Sequence, residues 1–317
     1  MQSIWALILL TFLCTACQPH CCKIEPEICY FPRTQLIQAL PSPFEKLTRA
    51  DIRQDWGKEL HVGLTFAHEM DFYRAITALK RALIFLPPDN LQRRLQIEYS
   101  IFLCYYLAQK YQDALDTYEQ SPLYEVTNSS SFPAYKELLI MLFDCYQQTE
   151  QCEKAERIYQ WLTPIDPEVA NQLLLSNALQ TAELENIDAL TALHPNGECI
   201  QAFIDEYYCA SKSIQKARTL NALLPGAGYL YVGQKKTAIT SFLINALFIG
   251  ATYYFIKNDN LPAGIVTASL ESGWYVGGIN GAGLAAKEYN ERLYEVNTKE
   301  LMVQNGLFPV LMLQKSF

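Results

Sequence analysis

The chain has 317 residues, of which 50% are hydrophobic and 18% are charged, and its formal net charge at pH 7 is -8. The acidic balance excludes a basic nucleic-acid-binding domain, and the apolar content excludes a disordered chain. The length is sufficient for roughly two domains.

The first apolar segment predicts export. Residues 4–13 form a ten-residue apolar run, which is too short to span a bilayer and is typical of a signal peptide. The small residues Cys14 and Ala16 precede Cys17 at positions that suit cleavage, and Cys17 resembles the acylated cysteine of a bacterial lipoprotein. A signal peptide is therefore predicted over 1–17. Lipid attachment at Cys17, an ordinary cleaved signal and an uncleaved anchor remain alternatives.

Residues 18–50 are predicted to be a proline-rich linker without a sustained helical period. This segment contains Pro19, Pro26, Pro32 and Pro41. It is expected to act as a tether between the membrane anchor and the folded domain. His20-Cys21-Cys22 has no second ligand pair at zinc-finger spacing, so no metal site is predicted.

Residues 51–196 show a repeated pattern of helix pairs. Small residues recur where two helices would touch, large apolar residues recur on the packing faces, and proline closes the second helix. The positions are Gly63, Phe66, Ala75, Leu79, Ala82 and Pro87, then Tyr105, Ala114 and Tyr118, then Tyr146, Ala155, Tyr159 and Pro167. This pattern resembles the tetratricopeptide repeat (TPR), and the resemblance implies stacked helix pairs whose concave surface holds a peptide or helix of a partner protein.

The spacing of these units predicts insertions. Ala75, Ala114 and Ala155 are 39 and 41 residues apart, which exceeds the TPR period of about 34 residues. Residues 122–133 are one such insertion, and residues 168–193 form a fourth, degenerate unit. An ordinary helical bundle with an aromatic core is the alternative, and both interpretations predict an all-α domain.

After a connecting helix predicted over 197–222, the chain becomes apolar. Between residues 237 and 286 the charged residues are Lys257, Asp259 and Glu271. Residues 238–256 would form a helix about 28 Å long, close to the roughly 30 Å of a bilayer core. With 261–286 as a second span, the sequence predicts a transmembrane helical hairpin.

The second span contains glycines and one carboxylate. Gly273, Gly277 and Gly281 are four residues apart on one helix face, a spacing that lets helices pack closely in lipid. Glu271 lies where a charge costs about 2.5–3.5 kcal/mol. It is interpreted either as a functional residue or as a protonated structural residue that faces Asn245.

A glycine-rich motif precedes the first span. Residues 224–233 read Leu-Pro-Gly-x-Gly-x-x-Tyr-x-Gly, with Pro225, Gly226, Gly228 and Gly233. Gln234 before Lys235 and the lack of a preceding strand pattern argue against a phosphate loop, so no nucleotide is predicted. Over residues 223–293 the chain resembles small bacterial membrane-hairpin domains, including an uncharacterised family attached to TPR-like domains. This resemblance implies a membrane location and no known activity.

The signal peptide and the basic residues around the hairpin predict opposite membrane orientations. A signal peptide would place the TPR-like domain outside the cytoplasm, whereas the positive-inside rule prefers the reverse, because four basic residues flank the hairpin on that side. They are Lys235, Lys236, Lys287 and Arg292. Residues 294–317 are expected to be a C-terminal tail. The chain has four histidines and no His-Glu-x-x-His or Gly-x-Ser-x-Gly motif, so no enzyme is predicted.

The sequence therefore predicts an all-α protein with a TPR-like domain and a transmembrane hairpin. The predicted function is that of a non-enzymatic scaffold or adaptor of a bacterial cell envelope, which binds the membrane and one or more envelope proteins. No cofactor and no nucleic acid are predicted. The alternative is a component of a membrane transport or protein-insertion system in which the hairpin and Glu271 are the working part.

Overall fold

The computed structural model describes residues 24–128, 130–191 and 194–317. Within these ranges the regular structure is entirely helical, with no β-strand, so the prediction of an all-α protein is confirmed. The predicted signal peptide and Cys17 lie outside the described residues. The chain divides into two compact units. We call residues 27–204 with 297–317 the helix-pair unit, and residues 205–296 with the described residues 24–26 the hairpin unit.

The helix-pair unit is built from successive antiparallel helices. Its first helices are α1 (Thr34–Ala39), α2 (Arg49–Arg53), α3 (Asp55–His68), α4 (Phe72–Phe85), α5 (Leu91–Leu107) and α6 (Tyr111–Glu119). A short 3₁₀ helix (Pro122–Glu125) is followed by α7 (Tyr135–Gln148), α8 (Cys152–Leu162), α9 (Pro167–Gln180) and α10 (Leu184–Thr191). A second 3₁₀ helix (Pro309–Leu311) lies in the segment that returns to this unit.

In each of four helix pairs, the same type of three-residue turn joins the first helix to the second. The central residues Met70, Gln109, Glu150 and Ala182 have φ between 53° and 62°. At the first turn the Met70 N–H donates to Ala67 O at 3.0 Å, and the Asp71 N–H donates to Phe66 O at 2.9 Å. The other three turns have the same pair of bonds. This is the Schellman motif, which satisfies carbonyl groups at the end of one helix while the next begins.

Five residues after the central residue of each turn, the second helix of the pair carries a fully buried side chain. These side chains are Ala75, Ala114, Ala155 and Ile187. Three of them are the alanines that the sequence places at helix contacts. In the first pair, a Cβ atom at Gly63 would lie 2.8 Å from Leu79 Cγ, so the missing side chain allows Leu79 to pack against α3.

The predicted closing prolines differ in position. Pro87 follows the end of α4, as expected, and is exposed. Pro167 instead occupies the first turn of α9. Proline suits this position, because the N–H groups of the first turn have no acceptor within the helix. The prediction that Pro167 closes a helix is therefore wrong.

Residues 27–48 of the predicted linker and residues 307–317 of the predicted tail are packed parts of the helix-pair unit, and linker residues 18–23 lie outside the described residues. Tyr30 stacks on Phe308 with ring centroids 4.8 Å apart. Phe44 packs against Tyr99 at 5.5 Å, and the Ser316 N–H donates to Pro41 O at 3.1 Å. Residues 27–48 therefore do not form a tether, because their apolar side chains fill space between helices. Residues 307–317 cover the interior in the same way, and Phe317 is only 2% exposed.

The connecting helix predicted over 197–222 is two helices, α11 (Gly197–Ala210) and α12 (Ile214–Leu223). Asn290 explains the break, because its side chain accepts from the Lys212 N–H at 2.7 Å and donates to Lys212 O at 2.9 Å. Ser213 then caps α12 by accepting from the Lys216 N–H at 3.2 Å.

The rest of the hairpin unit is α13 (Ala227–Tyr231), α14 (Lys235–Lys257) and α15 (Leu261–Gln304). Helices α14 and α15 run antiparallel, since the Thr252 hydroxyl donates to Thr267 Oγ1 at 2.9 Å. The turn between them repeats the Schellman geometry at Asp259, and Gly233 does the same between α13 and α14. Helix α15 continues to residue 304, beyond the predicted span end at 286 and into the predicted tail.

Candidate functional site

The glycine-rich motif is a packing joint for three helices. Gly226 has φ 91°, and its N–H donates to the buried Asn221 Oδ1 at 2.9 Å. A Cβ atom at Gly226 would collide with Ala238 O on α14. At Gly228 a Cβ atom would collide with Ala217 O on α12 and lie 2.7 Å from Ala282 Cβ on α15. Both glycines are thus needed because backbones approach closely there.

A polar seam runs between α14 and α15. We give this name to Ser241, Asn245, Thr252, Thr267 and Glu271, all of which are buried or half-buried. Beyond the Thr252–Thr267 bond, the Asn245 amide donates to Ser241 O at 2.6 Å. Asn245 and Glu271 lie on facing helices between two points of contact, the threonine pair and the approach of Ser241 Oγ to Gly278.

Glu271 has no hydrogen-bond partner among the described residues. Both of its carboxylate oxygens are buried, and so is the unpartnered Asn245 Oδ1. Three acceptor atoms without a donor mark the least satisfied part of the seam. The sequence predicts that Glu271 faces Asn245; the structure places both residues on the seam without a hydrogen bond between them.

The outer faces of the same two helices are apolar and exposed. On α14 the exposed side chains are Ile239, Phe242, Leu243, Leu247, Ile249, Tyr253, Tyr254 and Ile256, and on α15 they include Ile265, Val266, Leu270, Trp274 and Val276. By length and composition α14 is the one helix in the described ranges that is able to cross a membrane, and only 11% of its most apolar stretch is buried. The hairpin is thus polar inside and apolar outside.

The predicted glycine face does not form the contact between the two helices. Gly273 and Gly277 have open space around them and line a groove of about 360 Å³ with Thr237 and Thr240. Gly281 lies against the Tyr229 hydroxyl instead. The close approach to α14 occurs at Gly264, where a Cβ atom would lie 2.8 Å from Ile256 Cγ1. At Gly278 a Cβ atom would lie 3.2 Å from the Asn221 amide nitrogen on α12 and 4.0 Å from Ser241 Oγ on α14. Of the stripe that sequence spacing singles out, Gly273 and Gly277 are therefore free.

The helix-pair unit has an exposed aromatic surface between α6 and α8. Two adjoining grooves of about 430 and 630 Å³ share Tyr124 and Trp161, both of which are exposed. Lys154 forms one wall, with its Nζ 5.2 Å from the Tyr146 ring centroid and 2.7 Å from a Glu119 carboxylate oxygen. The inserted 3₁₀ helix supplies Tyr124, so the predicted insertion at 122–133 shapes this surface.

A buried carboxyl group lies beneath the packed segment around Tyr30. The Tyr106 hydroxyl donates to Asp144 Oδ2 at 2.7 Å, and the Gln148 amide donates to Oδ1 at 3.3 Å. Burial raises the pKa of Asp144 to about 6, although both hydrogen bonds act to lower it. A cavity of about 50 Å³ adjoins the group and is lined in part by Cys29 and Phe308. Asp144 is therefore expected to take up a proton at a higher pH than an exposed aspartate does.

Several of these residues were missed by sequence reasoning. Asn221 carries no motif signal beyond its place before the Pro-Gly step, and Trp161 looks like one more helix aromatic. No group of three His, Cys, Asp or Glu side chains able to hold a metal ion occurs in the parts of the chain that the structure describes.

No protein-family model, curated protein or solved structure matches this chain.

Proposed function

We propose that this protein is a membrane-anchored, non-enzymatic scaffold or adaptor of a bacterial cell envelope, which binds a partner protein through TPR-like repeats. The observation that carries the proposal is the reversed polarity of the hairpin. A helix pair with polar side chains inside and a broad apolar surface outside suits a hydrocarbon solvent, because in water the apolar outer face would stay exposed at a cost in free energy.

The arrangement of the chain supports two crossings. Residues 27–204 and 297–317 belong to one compact unit, so both segments lie on the same side of any membrane. A chain that crosses through α14 must then cross back before residue 297. Helix α15 follows α14 directly, and its 44 residues extend over about 66 Å, which is long enough for a crossing, although by composition α14 alone among the described helices is apolar enough to be a candidate span.

The recurring turn supports the TPR-like interpretation. Four helix pairs share one joint and one buried position after it, as expected for stacked units that bury a continuous interior. The aromatic grooves around Tyr124 and Trp161 provide the partner surface, since exposed aromatic side chains in a concave site are frequent anchors of protein–protein contacts.

Cross-linking in living cells tests the partner surface. A photoreactive phenylalanine derivative replaces Trp161, and in a matched control it replaces Tyr73, which is 84% exposed elsewhere on the same unit. We expect one dominant envelope protein to be captured from position 161 and not from position 73. Capture of only lipid or a second copy at position 161, or of the same proteins at both positions, would overturn the proposal.

We also propose that the helix-pair unit lies outside the cytoplasm, with an export signal that ends immediately before Cys17 and a lipid attached to Cys17. The native thiols provide the test. Cys152 and Cys199 are exposed, whereas Cys104 and Cys145 are buried. A membrane-impermeant maleimide should label the first two before the inner membrane is opened, and the buried pair only after denaturation. Labelling that requires an open inner membrane would reverse the orientation.

A second function is favoured by one observation, the unpartnered carboxylate of Glu271. A carboxyl group inside a membrane hairpin is suited to carry a proton or contact a substrate in transport or protein insertion. Glu271→Gln separates the two functions, with Ser272→Ala as a control on the exposed face. The scaffold predicts that both variants complement a deletion strain. Loss of function in Glu271→Gln alone, with normal membrane insertion, would favour the transport component.

A further inference from the structure

Five cationic side chains at one end of the hairpin unit have no ion pair with any described residue. We call them the basic collar: Lys212, Lys216, Arg218, Lys235 and Lys236. Two other cations in this part of the unit are neutralised. Lys287 Nζ lies 3.4 Å from Glu25 and 3.6 Å from Glu291, and Arg292 lies 3.4 Å from Glu288. The collar is therefore a net positive surface of the unit.

Helix register places the collar at one level of the hairpin. Ser241 lies beside Gly278, so Lys236, five residues earlier on α14, is level with Gly283, five residues later on α15. The Arg218 side chain packs on Gly283. Lys212 is bound to Asn290, which lies about 10 Å further along α15. The collar thus occupies a layer about 10 Å thick.

This layer coincides with the boundary of the apolar segment. Residues 237–256 on α14 contain no charged side chain and span about 30 Å, the thickness of a bilayer core. The collar begins where that segment begins. At the opposite end Lys257 and Asp259 cancel in charge. Five uncompensated cations at one boundary and none at the other make the hairpin electrically asymmetric.

Three of the five collar side chains, Lys212, Lys216 and Arg218, are held by neighbouring groups but have no ion-pair partner among the described residues. Lys212 Nζ and Lys216 Nζ lie 5.4 and 5.1 Å from the Tyr231 ring centroid, and Lys212 also lies 5.9 Å from the Tyr289 ring. Tyrosines at this level match the aromatic belt of membrane proteins. Arg218 Nε is buried without a hydrogen-bond partner. Ordered cations that lack an acceptor suit phosphate oxygens.

We infer that the basic collar binds the phosphate groups of anionic phospholipids in the leaflet at its end of the hairpin. The inference rests on the proposed membrane insertion of the hairpin and adds the headgroup class that surrounds it. Each collar lysine contributes about fivefold to the preference for an anionic over a zwitterionic headgroup, and added salt weakens that preference.

The test uses the intact protein in uncharged dodecylmaltoside micelles. Phosphatidylglycerol and phosphatidylcholine with identical acyl chains are added in equal amounts, and retained lipids are counted by native mass spectrometry. The collar variant combines Lys212→Gln, Lys216→Gln, Lys235→Gln and Lys236→Gln. The control combines Lys46→Gln, Lys110→Gln, Lys257→Gln and Lys299→Gln, four exposed lysines outside the collar, so that both variants lose the same charge.

We expect the wild-type protein and the control to retain at least ten times more phosphatidylglycerol than phosphatidylcholine. In the collar variant we expect this ratio to be at least tenfold lower than in the wild-type protein. Equal ratios in the two variants, or no preference in the wild-type protein, would overturn the inference. Resistance to carbonate extraction is measured in parallel. An extracted wild-type protein contradicts the membrane anchor itself, whereas an integral protein without headgroup preference contradicts only the collar.

Discussion

In the helix-pair unit most of the buried side chains are apolar, such as Leu60, Leu79 and Phe102, all fully buried. Between α14 and α15 the corresponding space holds the polar seam, and the leucines and isoleucines point outward. Yet the joint is the same in both regions, a Schellman turn followed five residues later by a small buried residue such as Ala75 or Gly264. Local backbone bonding therefore sets how two helices are joined, whereas the proposed membrane location accounts for which face of the hairpin is buried.

The largest effect is expected where residues 307–317 complete the apolar interior. Phe317→Ala should destabilise the helix-pair unit by about 3–5 kcal/mol, because it removes a ring that is 2% exposed. Urea unfolding of the intact protein in micelles, read by pulse proteolysis, measures the difference. Phe31→Ala is the control, since Phe31 is 68% exposed, and we expect a change within about 0.5 kcal/mol. Similar losses for both would mean that this segment is not part of the interior.

An arginine on the outer face of each region tests the reversal of polarity directly. Leu247, near the middle of α14, is 69% exposed, and Ile84 on α4 is 76% exposed. Leu247→Arg should cost about 2.5–3.5 kcal/mol of insertion free energy, because the charge would enter hydrocarbon. Ile84→Arg should cost less than about 0.5 kcal/mol in water. The fraction resistant to carbonate extraction reports the first cost and urea unfolding the second. If arginine had the same small effect at both positions, the outer face of the hairpin would not differ in surroundings from that of the helix-pair unit.

The smallest effect is expected for Asp144, a carboxyl group buried among the apolar side chains of the helix-pair unit. Burial raises the pKa of Asp144 from 3.8 to about 6, so the charged form is disfavoured in the folded state. This group therefore costs no stability below about pH 4, and its penalty grows as the pH rises from 4 to 6, reaching about 2–3 kcal/mol above that range.

Asp144→Asn keeps an acceptor for the Tyr106 hydroxyl and does not ionise. We expect the variant to match the wild-type protein in urea unfolding at pH 4 and to exceed its stability at pH 7.5. Glu59→Gln is a control, because it also removes one carboxylate from this unit, one that pairs with Arg81 at 2.6 Å. A difference between Asp144→Asn and wild type that is the same at both pH values would contradict the raised pKa.

Much of the fold was readable from the sequence because its signals are local. The alanines at 75, 114 and 155 and the apolar run at 238–256 depend on residues within one helix pair. The packing of residues 27–48 was not readable, since prolines mask apolar side chains such as Ile37 and Phe44 whose partners lie far along the chain. The tail was missed for the same reason.

The candidate site shows the same limit. Glu271 stands out in the sequence as a charge in an apolar segment, and it does lie on the seam. Of the basic collar only Lys235 and Lys236 stand out, as charges that flank the first span, because the other three residues lie earlier in the chain and join them only through Gly283 and Asn290 on α15. Glycine spacing was misleading, since Gly273 and Gly277 share a face that the hairpin leaves free.

The return of residues 297–317 to the helix-pair unit imposes an order on biosynthesis. Most of that unit, residues 27–204, leaves the ribosome early, but its interior lacks the ring of Phe317 until translation has passed the hairpin. By then α14 and α15 have already emerged. The unit that carries Trp161 therefore completes its interior only after the two hairpin helices have been made.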